Sequence, residues 1–247
     1  MFLLLLLSFA LSPRVEGGEI IGGHEARPHS RPYMAYLNTY NKNSGQMFQC
    51  GGFLIRKDVV LTAAHCHESL INVTLGAHNI QQPEETWQKI SVLKTILHPN
   101  FKYKKFSNDI MLLKLQRNAR LTKEVGLLKL PDSQIQMRPG QVCSAAGWGK
   151  VKPKANLSDR LLEVEMIVQE NAKCKRRYRN YNGTTQLCIG DPKERKGTLM
   201  GDSGGPLVCN NVAQGIISYG KKNGKPPRVC TRITNFLPWI KNTLRKM

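Results

Sequence analysis

Three side chains of this 247-residue sequence, Ser203, His65 and Asp109, could share the work of an attack on an acyl carbon. Ser203 lies in Gly201-Asp202-Ser203-Gly204-Gly205-Pro206, where small residues let the backbone turn sharply and a ligand approach closely. A serine hydroxyl is a poor nucleophile at neutral pH unless a base takes its proton. The stretch therefore calls for a histidine and a carboxylate to orient it, without which it is a glycine-rich turn with an ordinary serine.

Two upstream stretches answer that demand. Leu61-Thr62-Ala63-Ala64-His65-Cys66 sets a histidine at the end of an apolar run, beside a cysteine able to pin it. Ser107-Asn108-Asp109-Ile110-Met111-Leu112-Leu113 runs an aspartate straight into a strongly apolar segment. An acid there tends to be buried, and a buried carboxylate needs a partner such as an imidazole N–H. His65 and Asp109 together supply base and orienter for Ser203.

The elements that must position these groups read as short strands. Val59–Thr62, Ile71–Leu75, Ile110–Leu115 and Val212–Ser218 are apolar or β-branched runs of strand length. Gly51-Gly52, His98-Pro99-Asn100, Arg138-Pro139-Gly140 and Lys225-Pro226-Pro227 punctuate them. Only Asn235–Met247 has helical spacing, with Phe236, Leu237, Ile240 and Leu244 on one side. No fixed-period repeat or low-complexity linker interrupts the chain. The expectation is an all-β protein with one C-terminal helix.

The first residues are a different matter. Phe2, Leu3–Leu7 and the apolar residues to Leu11, ending near Gly17-Gly18, read as a secretory signal peptide over residues 1–17. No other stretch reaches the roughly 20 apolar residues of a membrane helix. The formal charge is +20. The first 19 residues hold Arg14 against Glu16 and Glu19, so the remainder carries +21. Basic residues recur in bursts at Lys102–Lys105, Lys173–Arg179, Lys193–Lys196, Lys221–Lys225 and Lys241–Lys246. Collectively they predict salt-sensitive binding to a polyanion. In a secreted chain that means sulfated proteoglycan or glycosaminoglycan, and no finger, helix-turn-helix or stacking motif points to nucleic acid. Seven cysteines on a secretory route imply disulfides and one leftover thiol, in a pairing that spacing does not fix. No metal-ligand spacing and no phosphate-cradling glycine loop occurs, so no metal and no cofactor is expected. Asn72, Asn156 and Asn182 open glycosylation sequons.

Thr62-Ala63-Ala64-His65-Cys66, Asn108-Asp109-Ile110 and Gly201–Pro206, in that order, resemble the chymotrypsin-fold serine proteases. The resemblance spans essentially the whole chain after the leader. It implies two six-stranded antiparallel β-barrels with the triad between them. The N-terminal barrel would cover about residues 20–125, the C-terminal barrel about 126–234 and the helix about 235–246. It implies an oxyanion hole built from the N–H groups of Gly201 and Ser203, each donor worth about 3 kcal/mol in the transition state. Ser218, in Ile217-Ser218-Tyr219-Gly220, would support Asp109 and begin the strand along which substrate lies. Ile20-Ile21-Gly22-Gly23 resembles the new N-terminus of an activated zymogen, whose amino group would pair with Asp202. The residues left before it, Gly18-Glu19, include no basic residue, a departure that points to granule proteases activated by a dipeptidyl peptidase.

Finer motifs, Gly22–Ala26, Pro28–Ala35, Gly51–Arg56 and Asn72–Ile80, are similar to granzyme B and its relatives. Alignment with that group implies the disulfides Cys50–Cys66, Cys143–Cys209 and Cys174–Cys188, leaving Cys230 as a buried, inert thiol. Leu199 stands where most chymotrypsin-like enzymes carry an extra cystine. Gly197, Thr198, Met200, Ser218, Tyr219, Gly220 and Arg228 would line the pocket for the residue before the cut (P1). Gly197 occupies the position of the pocket-floor aspartate of trypsin-like enzymes, and Arg228 that of an arginine reaching into the pocket. A guanidinium there would pair bidentately with a P1 aspartate. The resemblance thus implies a monomeric, secreted, granule-stored serine endopeptidase that cuts protein substrates after aspartate and kills target cells by apoptosis. One alternative is a chymase-like or Met/Leu-preferring protease with an apolar pocket, Arg228 turning to solvent or an internal acid. Another is an inactive cationic antimicrobial protein of the same fold, and a third a heparin-binding matrix or signalling protein.

Overall fold

A computed structural model describes residues 22–134, 136–150, 156–194, 197–198 and 201–247. The expected leader and the Gly18-Glu19 dipeptide lie outside them. A two-residue strand, β1 (His24–Glu25), precedes six strands that close on themselves: β2 (Met34–Tyr40), β3 (Met47–Arg56), β4 (Val59–Thr62), β5 (Leu70–Leu75), β6 (Gln88–Leu97) and β7 (Met111–Leu115). The barrel order is β2-β3-β4-β7-β6-β5, every pair antiparallel. Side-chain alternation sets the register. In β5, Ile71, Val73 and Leu75 point inward while Leu70 and Asn72 face solvent, and Val73 stands opposite Leu37 of β2. Leu37, Phe53, Leu54, Leu61, Leu112 and Leu113 are all fully buried, those of consecutive residues on opposite faces of the barrel wall.

The second half builds β8 (Val142–Gly147), β9 (Leu162–Ile167), helix α1 (Asn171–Arg177), β10 (Gln186–Ile189), β11 (Pro206–Cys209), β12 (Val212–Tyr219), β13 (Arg228–Arg232) and helix α2 (Leu237–Arg245). Its sheet runs β1-β9-β8-β11-β12-β13-β10. Six of these strands come round to a barrel because β10 meets the segment after β9. Val168 bridges Ile189, Gln169 N–H donates to Cys188 O (2.8 Å), and Gly190 N–H donates to Ile167 O (2.8 Å). β1 is a seventh strand on β9, so the start of the described chain is tied to the second barrel. The three disulfides are Cys50–Cys66, Cys143–Cys209 and Cys174–Cys188. Cys230 is free and fully buried in β13.

Two features depart from the sequence-based expectation. Gly51-Gly52 is not a turn but the middle of β3. A Cβ on Gly51 would stand 3.1 Å from the backbone of Gly205, and one on Gly52 would stand 2.8 Å from Val60 Cγ1. These glycines mark close backbone approach within a strand. The basic burst from Lys173 overlaps α1, whose helical period is silent because it buries only Cys174 and is held by the disulfide to β10.

The C-terminal helix forms as its spacing predicts, entered through a 3-10 turn over Ile233–Phe236 and started by a proline. Leu237 and Ile240 are buried, Trp239 tilts against His98 at 5.1 Å, and Arg56 Nη1 donates to the Leu244 carbonyl (2.9 Å). The helix from the end of the chain thus closes one side of the first barrel. Cys143–Cys209 closes the longest disulfide loop, 66 residues. Replacing both with alanine should lower the unfolding free energy by about 4 kcal/mol, read as a fall in the urea midpoint; an unchanged midpoint would refute it.

Candidate active site

His65 follows β4 on a 3-10 turn, Ala64–Cys66, fixed to β3 by Cys50–Cys66. Asp109 precedes β7, after two residues in left-handed conformation, Phe106 (φ 49°) and Asn108 (φ 54°). Asn108 is suited to that region because its short polar side chain tolerates it, here with Nδ2 donating to Asn100 O (2.8 Å). Since β4 and β7 are hydrogen-bonded neighbours, the two residues emerge side by side.

The Asp109 carboxylate is completely buried and surrounded by donors. His65 backbone N–H donates to Oδ1 (2.9 Å), His65 Nδ1 lies 2.7 Å from Oδ2, and Ser218 Oγ donates to Oδ2 (2.5 Å). Its main-chain carbonyl accepts from Thr231 Oγ1 (2.8 Å). Burial pushes this carboxyl upward, but the His65 charge and the bonds from His65 and Ser218 outweigh it and hold the group below the ordinary carboxylate range. With the carboxylate engaging Nδ1, Nε2 is the ring nitrogen left for other work. The ring packs edge-on to Phe106, centroids 5.4 Å apart.

Ser203 enters between the barrels. Its carbonyl accepts the Gly51 N–H (2.7 Å), Gly204 N–H donates to Ile217 O (2.8 Å), and Ile217 N–H donates to Gly205 O (2.8 Å). Gly204 (φ 83°) touches the first barrel so closely that a Cβ would fall 2.2 Å from Thr62 Oγ1 and 2.4 Å from Gly51 O. Gly201 also has positive φ (101°). Asp202 is buried and accepts the Gly149 N–H at Oδ1 (3.0 Å). A Cβ on Gly147 or Gly149 would stand 2.4 Å from that oxygen, so both glycines make its seat.

His65, Ser203, Ser218, Tyr219, Gly220 and Arg228 line one cleft of about 380 Å³, with Phe106 at its side and Lys150, Lys221 and Lys222 around it. Arg228 is 7% exposed, and Nη1 donates to Lys221 O (3.1 Å) while the buried Nε has no partner. No carboxylate among the described residues forms an ion pair with it. Burial depresses its pKa, opposed by the charges of Tyr178, Asp202 and Cys230. Gly220 makes room for it, since a Cβ there would lie 2.5 Å from Nη1, whereas a Cβ at Gly197 would be in ordinary contact with Arg228 Cδ (3.6 Å) and crowded by Gly224 O (2.6 Å). Thr198 is buried beside them. Tyr219 packs between Phe106 and Tyr178, and burial raises its hydroxyl pKa. Burial likewise raises the Cys230 thiol. Ile20, Leu199 and Met200 lie outside the described residues. The sequon asparagines Asn72, Asn156 and Asn182 are all exposed.

Sequence reasoning missed several supporting groups. Gly51 and Thr62 brace the serine loop, Thr231 braces Asp109, and Gly147 and Gly149 seat Asp202. The paired glycines of Gly147-Trp148-Gly149 were the one available signal.

The trypsin family model matches residues 20–240, and the chain belongs to the trypsin family. It is a granzyme- and chymase-like serine protease acting on protein substrates. Human granzyme B (Homo sapiens) is 57% identical over 99% of this chain and 98% of its own. Bovine duodenase-1 (Bos taurus) is 55% identical over 100% and 97%, and human cathepsin G 54% over 98% and 94%. A solved structure described as "Structure of GrC" superposes with TM-score 0.88 at 48% identity, covering 92% of this chain and 100% of that one.

The Asp109 geometry sets a pH dependence. Its folded pKa is depressed, so its ionised form contributes stability that is complete above the unfolded value, about pH 4, and is lost as pH falls through the lower folded value. Ser218→Ala removes one donor and should cost about 2 kcal/mol at neutral pH. The acid-unfolding midpoint should move to higher pH, and a midpoint that stays put would contradict this account. Gly149→Ala should displace the Asp202 carboxylate and reduce turnover, with titration of Ser203 by a fluorophosphonate as the readout.

Proposed function

We propose that the chain is a granule-stored, secreted serine endopeptidase that cuts after aspartate by an acyl-enzyme mechanism. His65 Nε2 takes the Ser203 proton as Oγ attacks the scissile carbonyl, and Asp109 holds the ring and balances the imidazolium. The N–H groups of Gly201 and Ser203 stabilise the oxyanion. The imidazolium then gives its proton to the leaving amine, and water repeats the sequence to release the acid. Ile20, freed by removal of Gly18-Glu19, pairs with Asp202 and shapes the oxyanion hole. The wider role is killing of target cells by apoptosis, with the basic surface holding the enzyme on sulfated proteoglycan.

The observation that carries the specificity is Arg228: a buried guanidinium, with no ion pair among the described residues, in the cleft that Ser203 lines. A buried charge in that state favours a ligand that completes it, and a P1 carboxylate does so bidentately. The similarity to cathepsin G and duodenase-1 favours a second reading, a pocket for apolar P1 residues. A scan of P1 residues on the activated enzyme distinguishes them. Arg228→Gly should lower kcat/KM for a P1-Asp substrate by about 100-fold or more, and cleavage after aspartate that survives the change would refute the assignment. Labelling by a fluorophosphonate that vanishes in Ser203→Ala identifies the nucleophile, and no labelling of the wild type would refute an acyl-enzyme.

A further inference from the structure

Gln186 opens β10 and is buried, 2% exposed. Its amide is engaged on three sides. Nε2 donates to the Phe106 carbonyl (3.2 Å), while Oε1 accepts the Asn182 N–H (2.9 Å) and the Tyr219 hydroxyl (3.3 Å). Turned over, the amide would set a donor against the Asn182 N–H and an acceptor against the Phe106 carbonyl, so its partners fix its orientation. Two of the three partners, Phe106 and Tyr219, line the cleft that holds His65 and Ser203.

Strand register shows what the amide holds. Gln186 stands opposite Thr231 of β13, and cross-strand partners project to the same side of a sheet. Thr231 Oγ1 donates to the Asp109 carbonyl (2.8 Å), so β10 and β13 grip the carbonyls at the two ends of the segment Phe106–Asp109. That segment contains two non-glycine residues with positive φ, Phe106 (49°) and Asn108 (54°). Asparagine tolerates the left-handed region, but a bulky phenylalanine persists there where its neighbours over-determine it. Among the described residues, Gln186 supplies the one side-chain hydrogen bond to the Phe106 peptide. Held so, the Phe106 ring packs edge-on to His65 at 5.4 Å and against Tyr219 at 5.3 Å.

We infer that Gln186 is a positioning residue for this protease: it holds Phe106 against His65 and Tyr219, and so sets the room for the substrate residue that precedes P1 (P2). The inference rests on the proposed roles of His65 and of the strand that begins at Ser218. In that reading substrate lies along Ser218–Gly220, and its P2 side chain meets the Phe106 ring beside the imidazole. The bond goes to the Phe106 peptide rather than the ring, so its loss acts on the backbone. Phe106 then relaxes from φ 49°, and the ring swings off His65. Tyr219, the adjoining part of the wall, is tied to the same amide, so one buried side chain refers both aromatic rings to the second barrel.

The test uses the full, activated enzyme. Gln186→Met keeps the side-chain length and removes both donor and acceptor. It should change the ratio of kcat/KM between P2-Ala and P2-Phe substrates by about fivefold in favour of the bulky residue, as for one lost hydrogen bond. Gln186→Glu, ionised, keeps acceptors for Asn182 and Tyr219 but loses the donor to Phe106, and should move the ratio the same way. Gln169→Met removes another buried glutamine, whose Nε2 donates to Ile167 O (3.3 Å), and should leave the ratio at the wild-type value. The proton resonance of the His65 ring, displaced by the ring current of Phe106, should shift in both Gln186 variants and not in Gln169→Met. An unchanged ratio in the Gln186 variants, or an equal change in Gln169→Met, would overturn the positioning role. A His65 resonance that stays put would overturn the link to the imidazole. That signal is read without turnover, so its failure is distinct from failure of the acyl-enzyme reading, which fluorophosphonate labelling of the wild type reports.

Discussion

The arrangement of this protein depends on one buried charge. An isolated carboxylate inside a protein is very costly, and Asp109 is tolerated only because its oxygens are met on every side. The donors come from both barrels: His65 from the turn after β4, Ser218 from the end of β12, with Thr231 of β13 holding the peptide. Satisfying the carboxylate therefore fixes the first barrel against the second. The same bonds orient the His65 ring, so the interaction that aligns the two halves also aligns the imidazole. A group that fails to arrive leaves an unpaired charge in the interface, which makes the alignment steep rather than gradual.

The approach of the serine loop is governed by a different constraint, backbone volume. Gly204 meets Gly51 and Thr62 across the interface with no room for a methyl group, and the Gly51 N–H reaches the Ser203 carbonyl directly. Thr62 adds a hydroxyl bond to Gly51 O just before His65. Strand β3 thus carries both the disulfide that pins the histidine turn and the glycine that receives the serine loop. Histidine and serine, 138 residues apart in sequence, are referred to the same strand.

Much of this was legible from residue types. The burial of Asp109 follows from its place at the head of an apolar run, and His65 is placed by its strand and cysteine. The four apolar runs read as strands lie in strands except for Ile110, one residue before β7, because burial on one or both faces imprints itself on composition. What was not legible is whatever depends on contact between distant backbones. Gly51-Gly52 carries the same two letters in a turn as in a strand pressed against another chain segment, and only the opposing loop distinguishes them. Helix α1 was invisible for the opposite reason: with one buried residue it has no apolar stripe, and a disulfide does the work a stripe would do. The closing of the second barrel was hidden too, since it rests on main-chain bonds at Val168, Gln169 and Gly190 rather than on a side-chain pattern.

Charge acts in the cleft at two ranges that follow different physics. Lys150, Lys221 and Lys222 surround the site, and the chain as a whole carries +20. Such exposed charges draw in anions over a Debye length of about 8 Å at physiological salt and are screened beyond it. Arg228 sits inside, 7% exposed, where screening by salt is weak. In the proposed reading the two agree in sign, so an acidic segment of substrate is first concentrated by the rim and then read by one guanidinium. In that reading added salt would act on encounter with the rim, while a carboxylate paired with Arg228 would be held where a counter-ion reaches it only by displacing the ligand.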